Sequence, residues 1–343
     1  MNWLKHITIK NKLLINVIVP LVAILMMATM AISEKYKIER KNEIYATVVG
    51  VDAVISKVVH ELQKERGMSA GFIASGGVKF QEKLSKQRET VKNMIAQLQA
   101  QNDKIAETDS TKTFYHDIEQ TLEKLQILDR TRRDVDAKTL SVDDVLARYS
   151  KLTGALIKLI AKSSALAPDA QLARESLAYY NFLMAKERAG IERAVGSVTA
   201  LRDNFVKDYR EKLANLVSAQ KAYIDIFKTL ADPDTVAFFD KKLDAPAVLE
   251  VNRMRKIFLT ADEIGGFGVD ATVWFDTITK KINQLKKVED FIAGSIKPKN
   301  TDVKKAVALD IKIKNLLHES QKERGGDSRI SRFEGEKVYK TPC

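Results

Sequence analysis

Apolar residues recur at helical spacing along nearly the whole chain, and the pattern begins with an unbroken apolar run. Residues 13–32 read LLINVIVPLVAILMMATMAI and carry no charge, about the 20 residues that a helix needs to cross a bilayer. Pro20 is tolerable in a membrane helix, and Asn16 near its start can lie at the interface. An uncleaved anchor is expected. The alternative is a cleaved signal peptide, but the run is long and MATMAIS is a poor small-x-small cleavage site. Lys5, Lys10 and Lys12 precede the segment while Lys35, Lys37, Arg40 and Lys41 follow it, so the charge rule alone does not orient it.

From Ser33 the helical period continues through Ile38, Ile44, Val48, Val51 and Ile55 to Ala74, where Ser75-Gly76-Gly77 supplies a turn. Further amphipathic segments are predicted over residues 80–105, 111–136, 142–165, 171–195 and 199–230. A shorter one opens at Asp232-Pro233-Asp234, and another covers 248–260. After a Gly265-Gly266-Phe267-Gly268 break, residues 269–292 close the set with Trp274, Ile278, Ile282, Leu285 and Val288 on one face. Asp109-Ser110 and Ser141 are N-cap candidates, and Pro168-Asp169 marks a helix start. No strand-like alternation competes. Long helices with short connections pack as antiparallel bundles, so the expected class is all-α with an N-terminal transmembrane helix.

Composition agrees, with only 15 Gly and 6 Pro in 343 residues and no flexible tract to mark a linker. The net charge of +12 comes from lysines interspersed with glutamates at helical spacing, which reads as solvated helix faces and not as a nucleic-acid surface. The single cysteine is the last residue, Cys343, which excludes disulfides, thiolate catalysis and Cys-based metal sites. The histidines at 6, 60, 116 and 318 have no second ligand at metal spacing, so no metal and no cofactor are expected. No set of nucleophile, base and oxyanion donors suggests an enzyme.

Three arginines interrupt apolar stripes. Stepping by four along the first helix gives Val54, Val58, Leu62, Arg66 and Ala70, so Arg66 is aimed where the buried stripe is aimed. Arg193 follows Ala189 and Gly190, whose small side chains leave space beside it. Arg253 is flanked at spacing four by Leu249 and Ile257, with Arg188 and Arg255 as alternates on more mixed faces. Three inward arginines from different helices would repel one another without a negative charge among them. A small oxyanion suits the guanidinium fork. The competing reading is internal ion pairing with Glu65, Glu187 and Glu192. Adjacent helical residues point about 100° apart, so sequence proximity does not choose between the two.

The stretches ELQKERGMSAGF (61–72), KERAGIERA (186–194), NRMR (252–255) and VWFDTITKKI (273–282) resemble the nitrate- and nitrite-sensing (NIT) domain family. That family supplies helical sensors of bacterial chemoreceptors, histidine kinases and diguanylate cyclases. The resemblance spans roughly residues 45–293. It implies two stacked helical bundles in which arginines bind nitrate or nitrite, here Arg66, Arg193 and Arg253. It further implies a homodimer, single-pass in the bacterial inner membrane, with its bulk extracytoplasmic, serving chemotaxis or other signal transduction. The competing class is an anchored helical interaction protein without a small ligand. On this reading residues 1–12 are a short lead, 13–32 the span and 33–298 the sensor domain.

One motif recurs. LLHESQKERG at 316–325 matches VVHELQKERG at 58–67 in seven of ten positions, and the likeness stops at Gly325. Read one base over, degenerate codons from Gly326 permit the Ala, Gly, Phe, Ser, Gly, Lys and Phe found at 70, 71, 72, 75, 77, 79 and 80. The expectation is a truncated second copy at 299–325 with an out-of-frame tail at 326–343. A genuine tail is the alternative, since termini tolerate change.

Overall fold

The computed structural model describes residues 8–296 except 106–107, 207 and 262–264. The second motif copy, the tail and residues 1–7 lie outside the described residues. Ten α-helices and one 3-10 turn are described: α1 Ile9–Ala74, α2 Gln81–Asn102, α3 Lys112–Leu125, α4 Ile127–Asp136, α5 Val142–Ser163, the turn Ser164–Leu166, α6 Ala170–Arg202, α7 Tyr209–Leu230, α8 Pro233–Leu243, α9 Pro246–Thr260 and α10 Ala271–Ser295.

The helix ends follow local chemistry. Ser141 and Asp144 form a reciprocal capping box on α5. Asp169, Asp232 and Asp270 accept backbone N–H groups at the starts of α6, α8 and α10, satisfying donors that a first turn leaves unpaired. Pro233 occupies the first turn of α8, where a missing N–H costs nothing. Gly76 and Gly77 turn the chain after α1 at φ 67° and 97°, conformations that a Cβ would strain.

Two sequence expectations shift. The expected helix over 111–136 is divided at Gln126 into α3 and α4, with Thr111, not Asp109 or Ser110, at the N-cap position of α3. The expected break between residues 195 and 199 does not occur, because α6 runs through Gly196 to Arg202. Gly196 serves packing there: the indole of Trp274 lies where its Cβ would be, and Trp274 Nε1 donates to the Arg193 carbonyl at 3.0 Å. The chain turns later, at Asp203 (φ 48°). The Asp203 Oδ1 accepts from the backbone N–H of Phe267 at 2.7 Å and of Gly268 at 3.2 Å.

Residues 40–298 form one compact unit, built as two stacked antiparallel bundles. In the first, α2, α4 and α5 are bonded to the second half of α1 through Gln87–Glu61, Arg132–Glu65 and Tyr149–Glu65, and α3 packs on α5. In the second, α7 and α10 pack on α6, α8 and α9 pack on α10, and α6 also packs on α5. The core is continuous, with Val58, Leu62, Leu156, Ile160, Phe182, Phe227, Trp274 and Ile278 fully buried. The first part of α1 differs: Leu13, Leu14, Val17, Leu21, Ile24, Met27 and Met30 are exposed. Among the described residues, α1 alone is long and apolar enough to cross a membrane, and none of its most apolar stretch is buried.

Two glycines separate packing from helix propensity. Gly154 in α5 faces open space, so Gly154→Ala should gain about 0.5–1 kcal/mol from helix propensity alone. Gly196→Ala gains the same propensity but overpacks against Trp274, which should cost about 1–3 kcal/mol. Unfolding followed by helical circular dichroism should therefore rank Gly154→Ala above wild type and Gly196→Ala below it.

Candidate functional site

The sequence places Arg66 and Gly67 next to each other on α1, and Gly190 three residues before Arg193 on α6. In the fold the two pairs interlock. The Arg66 guanidinium occupies the space over Gly190, where an added Cβ would stand 2.8 Å from its Nη2, and the Arg193 guanidinium lies over Gly67, 3.1 Å from where a Cβ would be. The space expected beside Arg193 thus exists, but it is filled by the other arginine. Two cations share one seam between α1 and α6.

Their surroundings are unequal. Arg66 is fully buried. It donates to Ser150 Oγ at 2.8 Å and makes a two-pronged contact with Glu187, through Nη1 and, at 3.3 Å, Nη2. Glu187 also accepts from Gln63 Nε2 at 2.6 Å and Thr153 Oγ1 at 3.0 Å. Arg193 is partly buried, donates from Nη1 to Thr279 Oγ1 at 3.2 Å and lies 5.1 Å from the Phe275 ring centroid. No carboxylate among the described residues pairs with it. Burial, and then the charge of Arg66, pull the Arg193 pKa down to about 10, as expected for a desolvated cation beside a like charge.

Arg253, the third expected ligand, does not join them. It is exposed and pairs with Glu250 three residues back on its own helix. The buried stripe of α9 runs through Val251, Met254 and Phe258, so Leu249 and Arg253 face outward and only Ile257 of their row packs partly against the core. Arg255 turns inward instead. It makes a two-pronged ion pair with buried Glu192 and donates to Gln220 Oε1 at 2.8 Å. Burial would raise the Glu192 pKa, but Arg255 holds it below the usual carboxylate range. Internal pairing is therefore real for Glu187 with Arg66 and for Glu192 with Arg255. Glu65 takes a different partner, Arg132, at 2.8 and 2.9 Å.

Sequence reasoning missed the α5 hydroxyls Ser150 and Thr153, together with Phe275 and Thr279. All are ordinary residues of amphipathic helices, and only the bundle geometry brings them to the seam. It also missed Lys281, buried beside Glu192 and Arg255 and donating to Gln220 at 3.2 Å. Burial, only partly offset by Glu192, pulls its pKa down to about 8.

The paired and unpaired arginines should respond oppositely to removal. Arg66→Ala strands the buried Glu187 carboxylate and should cost about 3–5 kcal/mol, whereas Arg193→Met removes a desolvated charge with no counter-ion and should leave stability unchanged or raised. Lys281 supplies a pH signature. Its folded pKa lies below the unfolded value of about 10.4, so the unfolded chain binds more protons between pH 8 and 10, and stability from this group rises with pH across that window. Lys281→Met should therefore be more stable than wild type at pH 7 and lose that advantage as pH approaches 10 in denaturant titrations.

The comparisons with known proteins converge on this part of the chain. The sequence profile described as nitrate and nitrite sensing matches residues 57–297. A nitrate regulatory protein from Klebsiella oxytoca is 26% identical over 238 residues, covering 69% of this chain and 59% of that protein, so the chain spans little more than half the length of that relative. A solved structure of the NasR transcription antiterminator shares the fold, with a TM-score of 0.70 at 24% identity over 79% of this chain and 73% of that one. These relatives are regulatory proteins, and neither is described as a chemotaxis receptor. With a profile match across most of its length and all four sequence stretches inside it, the chain belongs to the nitrate and nitrite sensing family.

Proposed function

We propose that the chain is a membrane-anchored sensory module that binds nitrate or nitrite at the α1–α6 seam, with Arg193 as the primary cation and Arg66 beside it. The observation that carries this reading is the charge imbalance: two guanidiniums meet at the seam and one carboxylate, Glu187, is there to balance them. A small monovalent oxyanion supplies the missing charge and accepts the hydrogen bonds that Arg193 does not make to the protein. Family membership supports nitrate or nitrite as that anion. The exposed apolar residues 13–32 form the single membrane span, and residues 33–298 form the sensor domain outside the cytoplasm, acting as a homodimer in the bacterial inner membrane. Anion binding draws α1 and α6 together at the seam, and because α1 is continuous from Ile9 to Ala74, the shift reaches the span for chemotaxis or another signalling output.

Isothermal calorimetry of the full chain in detergent with nitrate, nitrite and chloride tests this. Saturable nitrate or nitrite binding is expected for wild type and for Arg253→Ala. It should weaken at least about 10-fold in Arg193→Gln, the scale of one lost charge-assisted hydrogen bond. A folded wild-type protein that binds none of these anions leaves the competing class, an anchored interaction bundle, in its place.

A further inference from the structure

The seam cluster holds two arginines and one carboxylate, with Arg66 and Glu187 fully buried and Arg193 partly buried. Glu187 is 1% exposed and every bond it makes comes from a protein donor: Arg66, Gln63 and Thr153. Its charge is therefore fixed in place and little screened by solvent. The charge that acts on Arg193 is that of Arg66. The other buried acids among the described residues are committed elsewhere: Glu65 to Arg132, Glu192 to Arg255, Glu289 to Lys186 and Lys286, and Asp52 to the Ser163 hydroxyl, with burial pushing its pKa up. The seam consequently carries a net charge of +1, from two cations and one anion.

We propose that Glu187 is the residue that selects the charge of the bound anion, setting the seam to accept a monovalent oxyanion and to reject divalent ones such as sulfate. The inference rests on the proposed anion site. A monovalent ion brings the cluster to neutrality. A divalent ion leaves the same little-solvated cluster at −1, and an uncompensated negative charge in such a setting opposes binding strongly. Shape alone does not make this distinction, because guanidinium donors accept planar and tetrahedral oxyanions alike.

The test is competitive calorimetry on the full chain with nitrate, sulfate and perchlorate, the last sharing the tetrahedral shape of sulfate but carrying one charge. Wild type should prefer nitrate to sulfate by at least about 10-fold. Glu187→Gln should raise the affinity for sulfate relative to both nitrate and perchlorate by about 10-fold or more, a difference of ~1.4 kcal/mol. The double variant Arg66→Gln/Glu187→Gln restores the net charge of +1 without a stranded charge and should return to the wild-type ratio. Unchanged ratios in Glu187→Gln, or equal binding of nitrate and sulfate by wild type, overturn the proposal while leaving the anion site standing. Wild type that binds no anion overturns both. Because wild-type selectivity is itself one arm, failure of Glu187→Gln to fold does not remove the test.

Discussion

At the seam of α1 and α6 two guanidiniums lie side by side, and a single carboxylate, Glu187, pairs with one of them, Arg66. Like charges removed from water repel strongly, and helices carrying them would be expected to separate. Here α1 and α6 instead approach closely enough for each arginine to lie across the other helix's glycine. The approach depends on Gly67 and Gly190 having no side chain, on Glu187 neutralising Arg66, and on the bundle around the seam burying enough apolar surface to hold Arg193 in place. A site that is electrically incomplete in this way is suited to capturing a small anion and to reporting its presence through the two helices that share it.

Helix α6 is the hub. It carries two adjacent pairs of opposite charge, Lys186-Glu187 and Glu192-Arg193, and because neighbours on a helix point about 100° apart, each residue finds a different partner. Lys186 reaches Glu289 on α10, Glu187 reaches Arg66 on α1, Glu192 reaches Arg255 on α9, and Arg193 reaches the seam. Buried ion pairs of this kind contribute little net stability, since desolvation offsets attraction. Their effect is on register: sliding or rotating α6 would break several of them together. Trp274, seated on Gly196 and bonded to the Arg193 carbonyl, fixes the same stretch from the α10 side.

Much of the fold was legible in the sequence because it rests on local signals. The end of α1 at Ala74, the N-cap at Ser141, the Asp-Pro start of α8 and the apolar face of α10 are all written in the sequence. The misplaced break after residue 195 shows the limit: the helix continues there because the small size of Gly196 is used for packing against an indole 78 positions away in the chain. The site was half legible for a related reason. A stripe of period four identified Arg66, whose helix is buried over many turns. On the short α9 the same rule chose Arg253 over Arg255, where the true buried row, Val251, Met254 and Phe258, runs at spacings of three and four. Which glutamate would neutralise which arginine depended on contacts across the bundle that no spacing encodes.

On the proposed function, a small anion completes the charge at Arg193. A crystal structure of the full chain grown with nitrate tests it most directly. A planar triangular ion is expected within about 3 Å of the Arg193 guanidinium, with Arg66 still held by Glu187. Nitrate bound elsewhere, or Arg193 engaged by a carboxylate of the protein itself, would contradict it.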